Sequence, residues 1–166
     1  MGYTHYFELK PKNTINSFTK DVLIQMKQVL DYWQEKGVIC YECNQPDKPY
    51  NLDNMTIRFN GKEEEGFETF YFSFQGFGSC FCKTGRKKYD QCVCEILILL
   101  KEYLKDELIL SSDGHMFYDP NRTDPLDPCR FNNEWEPAWK RLIVDNGYKI
   151  TWANPWTEIK PNVEKE

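Results

Sequence analysis

The sequence predicts an α+β fold, a single domain in which a mixed, mainly antiparallel sheet carries about three helices. An aromatic, strand-like run starts almost at the first residue. An Asn-Gly pair closes an alternating segment, the pattern of a hairpin. Long stretches elsewhere repeat apolar residues at helical spacing.

Residues 3–9 (YTHYFEL) stop before Pro11 and carry bulky groups on both faces, so an interior strand is expected. Asn13 or Thr14 is expected to cap a helix. Its stripe is Ile15, Phe18, Val22, Met26, Val29, Leu30 and Trp33, with Gly37 as the stop. Residues 38–43 (VICYEC) read as a short strand, and NQPDKPYNLDN as an exposed turn with two prolines. Residues 55–61 (MTIRFNG) alternate and end on the Asn-Gly signal. Residues 66–78 are the expected partner strand, with Phe70, Phe72 and Phe74 on one face and Thr69, Tyr71 and Ser73 on the other. KEEE between them is a charged loop tip.

The stretch CFCKTGRKKYD then leads into a helix beginning at Tyr89 or Asp90 and running to about Lys105. ELILSSDG follows as a strand ending in a turn, so the unit resembles a βαβ crossover. DPNRTDPLDPCRFNN is a proline-punctuated loop. EWEPAWKRLIVDNG is a final helix with Trp135, Trp139, Leu142 and Ile143 on one stripe and Asn146-Gly147 as its stop. YKITWANPW is expected as a last short strand. The domain spans residues 1–157, and residues 158–166 form a polar tail.

Composition bounds the function. With 166 residues, 40% hydrophobic and 28% charged, the chain has enough length for a core and too little charge bias for disorder. A net charge of -5 argues against duplex nucleic acid as a partner, because that needs a broad basic face. A 16% aromatic share suits a pocket that stacks flat ligands. The seven cysteines are an odd number with no evident secretory leader before them, so a reducing, cytoplasmic setting is expected. Tyr6 stands where N-myristoylation wants Ser or Thr. The longest apolar run, residues 96–100, is far too short to span a bilayer.

The basic loop is the feature most suggestive of a ligand. Lys83, Arg86, Lys87 and Lys88 lie just before an apolar helix. A helix start carries unpaired N–H groups and the positive end of the macrodipole, so cations there are unfavourable unless an anion joins them. Gly76, Gly78 and Gly85 allow close backbone approach. The order of residues is neither GxxxxGK[ST] nor GxGxxG, and a solvated loop capped by Asp90 is the competing explanation.

Histidines are only two, His5 in mid-strand and His115 after the SSDG turn. Among the cysteines, only Cys40 and Cys43 have CxxC spacing, and Cys92 and Cys94 point in nearly opposite directions on a helix. Ordinary buried cysteines are therefore expected, with Cys80 and Cys82 the better candidates for any metal or redox role. No metal and no cofactor are expected. Ser111, Ser112 and Asp113 suit a ligand and equally suit turn chemistry.

The segments MGYTHYF, FNG (59–61), ETF (68–70), FCKTGRKKYD (81–90) and SSDG (111–114), taken in order, resemble a family of small phage and bacterial proteins. The resemblance covers roughly residues 1–114. The family pattern has Trp where Phe7 stands, Ala where Gly85 stands and Pro where Lys88 stands, and the last change loosens the predicted helix start. The resemblance implies no activity. It implies that the amino-terminal strand, the basic loop and the SSDG turn converge on one cleft, and by analogy of context it suggests sequestration of a host nucleotide signal.

Three functions are compatible with these residues. The first is a non-catalytic protein that captures a phosphate-bearing, nucleotide-derived molecule, such as a cyclic nucleotide or ADP-ribose-type signal. Lys83, Thr84, Arg86 and Lys87 would take phosphates, Tyr3, His5, Tyr6 and Tyr89 or Phe77 would bracket a base or ribose, and Ser111, Ser112 and Asp113 would complete the site. A homo-oligomer with pockets at its interface is consistent with it. The second is a small phosphate-directed hydrolase or nuclease using His5 or His115, oriented by Asp113, with Lys83 and Arg86 on the developing charge. The third is a protein-interaction module inhibiting a host protein through exposed Trp135, Trp152 and Trp156.

Overall fold

The computed structural model of the chain describes residues 2–76, 80–114, 116 and 134–152. Its strands are β1 (Thr4–Leu9), β2 (Ile39–Cys40), β3 (Asn51–Leu52), β4 (Thr56–Gly61), β5 (Phe70–Ser73), β6 (Phe81–Lys83) and β7 (Leu108–Ser112). Its helices are α1 (Lys20–Glu35), α2 (Asp90–Leu104) and α3 (Glu136–Trp139), the last running on as a π-helical segment, Lys140–Asp145. The fold is α+β.

Two sheets stand in place of the one expected, and every strand pair among the described residues is antiparallel. In the first, β1 lies between β6 and β7, with His5 opposite Cys82 on one side and Ser112 on the other. Because β6 and β7 both run against β1, they run parallel to each other. The β6–α2–β7 unit is therefore a crossover split by β1. In the second sheet, β4 pairs with β2, β3 and β5.

β1 is interior to its sheet, but only one of its faces is covered. Tyr3, His5 and Phe7 point into the protein, whereas Tyr6 opposite Phe81, and Ile109 opposite Glu8, stay 43%, 46% and 52% exposed. The strand alternation at period 2 decides which residues can share a site.

The core is built around α2. Every residue from Cys92 to Leu100 is buried, which an apolar helix requires when it is covered on all sides. α1 covers it with Val22, Met26, Val29 and Leu30, and Trp139, Leu142 and Ile143 close another side. Each large aliphatic or aromatic side chain buried this way contributes about 1.5–3 kcal/mol.

Three local expectations are corrected. α1 begins at Lys20 with Thr19 as its N-cap, whose hydroxyl accepts from the Val22 N–H. The backbone near Asn13 and Thr14 is committed elsewhere, since the N–H groups of Thr14 and Ile15 donate to the Glu107 carboxylate and that of Phe18 to the Asn54 carbonyl. The Asn60-Gly61 pair is not a hairpin turn. It continues β4 and pairs with β2, and the chain reaches β5 through a 3-10 turn at Glu63–Glu65. Asn60 instead clips that connection, accepting from the Phe67 N–H and donating to the Phe67 carbonyl and the Thr69 hydroxyl. Gly61 is required by close approach, because a Cβ there would stand 2.2 Å from the Glu65 carbonyl oxygen. Finally, residues 148–152 form no strand. The Thr151 N–H donates to the Glu102 carboxylate and the Trp152 indole to the Ile98 carbonyl, docking this segment on α2. The remainder of YKITWANPW, the polar tail and the proline-punctuated loop lie outside the described residues.

Candidate functional site: a buried histidine cluster

His5 is fully buried at the centre of the first sheet, and both ring nitrogens are engaged. Nδ1 lies 2.7 Å from the Ser112 hydroxyl, and Nε2 lies 2.7 Å from an Asp90 carboxylate oxygen. The Thr84 hydroxyl donates to the same Asp90 oxygen at 2.5 Å. Ser112 Oγ also receives the Gly114 N–H at 3.0 Å and the Trp135 indole N–H at 3.3 Å. Those two donors occupy both of its lone pairs, so its own proton must go to Nδ1. His5 is thus the Nε2–H tautomer, donating to Asp90. Tyr3 and Trp135 pack edge-on against the imidazole, with ring centroids 5.0 and 5.1 Å away.

Register and helix phase assemble this cluster. β1 contributes His5, Tyr3 lies just before that strand, β7 contributes Ser112, and the turn after β6 contributes Thr84. Asp90 and Cys94 come from the first turns of α2, where a spacing of four puts them on one face. The Cys94 sulfur lies 3.7 Å from His5 Nε2 and 3.8 Å from the second Asp90 oxygen. Burial, and secondarily the Asp90 charge, pushes the Cys94 thiol well above its usual range.

The cationic residues do not converge on the helix start. Lys83 faces the outer side of the sheet, running across Gly2 and toward the Phe67 ring. Lys87 donates to the Glu64 carbonyl at 3.1 Å. Arg86 lays its guanidinium over the Tyr3 ring, 4.2 Å from the centroid, while its Nε donates to Glu134 at 2.9 Å. Gly85 and Arg86 both have φ of +59°, which suits glycine and strains arginine. The N–H groups of Thr84 and Gly85 both donate to the Tyr3 carbonyl, holding this turn against β1.

Tyr3, His5, Thr84, Arg86, Ser112 and Asp113 therefore gather at one end of the first sheet, where the Asp113 carboxylate accepts from the Thr4 N–H. Tyr6 and Ser111 lie on the opposite face, as alternation dictates. Tyr89 is buried, its hydroxyl donating to the Glu68 carbonyl at 2.6 Å. Cys80 is exposed, and Cys82 sits against the Glu68 carbonyl. Trp135, expected at the surface, is fully buried against His5, and Trp152 is half-buried on α2. Phe77, Gly78, His115, Cys129 and Trp156 lie outside the described residues. Asp90, read from the sequence as a helix cap, and Cys94, read as core, are the members that sequence reasoning missed. Their spacing of four was the available signal.

The Tyr3 hydroxyl is buried and has no hydrogen-bond partner among the described residues. Burial foremost, then the nearby Cys94, Asp90 and Glu134, push its phenol far above the usual range. It passes directly under Gly114, where a Cβ would stand 2.0 Å from the hydroxyl oxygen. Gly114 serves close approach here. Gly114→Ala is expected to cost about 1–3 kcal/mol in urea unfolding. Tyr3→Phe should be nearly neutral alone and should recover part of that loss in the double variant.

No family model, curated protein or solved structure matches this chain. No described helix is long and apolar enough to cross a membrane.

Proposed function

We propose that the protein is a non-catalytic binding protein for a phosphate-bearing, nucleotide-derived small molecule, taken at the Gly85–Arg86 turn. The observation that carries this reading is Arg86 itself. It keeps a left-handed backbone that only a well-held turn sustains, and its side chain remains 58% exposed while fixed on Tyr3 and Glu134. A guanidinium held in place before the ligand arrives loses less freedom on binding, and its planar fork matches phosphate oxygens. Among the described residues its Nε is bonded to Glu134. The buried His5 network lies beneath this turn and keeps Thr84 and Tyr3 in register. Capture without turnover would sequester a nucleotide signal.

The test is a thermal-shift screen against nucleotides, cyclic dinucleotides, ADP-ribose derivatives and inorganic phosphate. A true ligand at a hundredfold excess over Kd should raise Tm by about 5–10 °C. Arg86→Ala should abolish the shift while leaving the unliganded Tm within a few degrees of the parent, and heat denaturation should release the ligand intact. No shift across the panel would overturn the reading.

The Ser112–His5–Asp90 line favours a second reading, a phosphate-directed hydrolase, because it joins a hydroxyl, an imidazole and a carboxylate. Against it, both lone pairs of Ser112 Oγ already accept hydrogen bonds, and a nucleophile needs one free. Recovery of a cleaved ligand, lost in Ser112→Ala, would establish this alternative.

A further inference from the structure

We propose that His5 Nε2, the Asp90 carboxylate and Cys94 Sγ form a buried binding site for one zinc ion. The three donor atoms lie within 4.8 Å of one another, and they come from two regular elements, the start of β1 and the first two turns of α2. Zn²⁺ with nitrogen, oxygen and sulfur ligands has tetrahedral edges of about 3.3–3.6 Å. The sulfur already stands 3.7 Å from Nε2 and 3.8 Å from an Asp90 oxygen. Nε2 is hydrogen-bonded at 2.7 Å to the other oxygen of that carboxylate, so the ion requires this contact to open and the carboxylate to turn one oxygen toward both partners.

Charge favours the same ion. A carboxylate and a thiolate together offset a divalent charge, and the imidazole adds none, so the loaded centre is neutral in a place where net charge is costly. Softness selects within the divalent series, since a thiolate beside imidazole suits zinc far better than magnesium or calcium. The supporting contacts are present too. Ser112 orients the far side of the imidazole and Thr84 holds the carboxylate, the outer contacts that metal-bound His and Asp residues characteristically have.

Proton balance follows from the network. The Cys94 thiol proton leaves to solvent. The Nε2 proton of His5 is lost there and regained at Nδ1, so one proton is released per ion bound. Nδ1–H then donates to Ser112 Oγ, and the longer of that oxygen's two accepted bonds, from Trp135, gives way. Three protein donors leave the fourth position to water.

Metal-free full-length protein, prepared by dialysis against a chelator, is titrated with Co²⁺ and then with Zn²⁺. The expected result is the intense visible spectrum of tetrahedral Co²⁺ with a near-ultraviolet thiolate-to-metal band, both removed by one equivalent of zinc. Cys94→Ser should lose the thiolate band, and Cys80→Ser should keep it. Ser112→Ala retains all three donors and should bind zinc about 10–100-fold more weakly. The parent protein's own spectrum decides the matter even if a variant fails to fold. The pale spectrum of hydrated Co²⁺ in the parent, or a thiolate band that survives in folded Cys94→Ser, would overturn the proposal.

Discussion

Arg141→Ala is expected to destabilise the protein by about 3–5 kcal/mol at neutral pH, the cost of stranding a buried charge. Glu95 is fully buried in mid-α2, and Arg141 from the π-helical segment grips it through Nε and Nη2. The Trp33 indole and the Gln91 amide donate to the same carboxylate at 3.0 Å each. The guanidinium also lies 4.0 Å from the Tyr32 ring centroid, so the truncation removes packing as well as charge. With Arg141 gone, two neutral donors remain to hold a fully buried carboxylate.

The pH dependence of this variant has a definite sign. Burial pushes the Glu95 carboxyl above the ordinary glutamate range, and Arg141, Trp33 and Gln91 pull it back only in part. A raised carboxyl binds more protons folded than unfolded, so stability falls as pH rises from the unfolded value toward the folded one. Removing Arg141 raises the folded value further and widens that window. The variant's deficit should therefore be complete above the raised value and shrink on acidification toward the ordinary glutamate range. Urea unfolding of both proteins across a pH series measures it. A deficit that grows on acidification, or none at neutral pH, would contradict the argument.

His5→Ala carries a comparable effect, about 3–5 kcal/mol, by another route. It empties a ring-sized volume between Tyr3 and Trp135, leaves the Ser112 proton without its acceptor, and removes the Nε2–H from Asp90. Three separate stretches, β1, β7 and the start of α2, lose their common anchor. The comparison that tests the mechanism is Tyr6→Ala, one residue along the same strand. Tyr6 faces outward, so its truncation should cost under about 1 kcal/mol. Urea midpoints of the two variants decide it, and equal losses would mean that the cluster holds nothing together. Near-ultraviolet circular dichroism should change in His5→Ala as Trp135 loses its edge contact.

Much of the fold was legible because it is local. α2 was readable to within a residue, since an unbroken apolar run bounded by Asp90 and Leu104 has few other ways to satisfy its backbone. β1, β4, β5 and β7 showed in alternation and aromatic content for the same reason. What misled was chemistry that works equally well in two settings. Asn60-Gly61 has the residues of a tight turn, yet Asn60 spends its amide on Phe67 and Thr69, because the connection seven to nine residues on offers it three satisfied contacts. Asn13 and Thr14 have the residues of a cap, yet a carboxylate 93 positions away from Thr14 claims their stretch of backbone.

The candidate site was legible in its membership more than in its arrangement. His5, Thr84, Ser112 and the basic loop stood out as residue types suited to a ligand. That Tyr6 and Ser111 face away follows from strand period alone and was available. That Lys83, Arg86 and Lys87 diverge was not, since a cationic run in one loop says nothing about where long side chains find partners. Cys94 is not legible as a site residue because no second cysteine partners it; it stands beside a histidine from one strand and an aspartate four residues back.

By itself the sequence determined the periods of most elements, which face of them is apolar, and a net charge of -5. Those properties depend on neighbours within a few residues, whose sterics and spacing are written in order along the chain. The tertiary structure alone decided that β1 enters between β6 and β7, and so brought His5 to Ser112 and Asp90 across 107 and 85 positions. Contacts at such separations form only when burial of the whole core outweighs the chain entropy of closing those loops, and no local pattern records that balance.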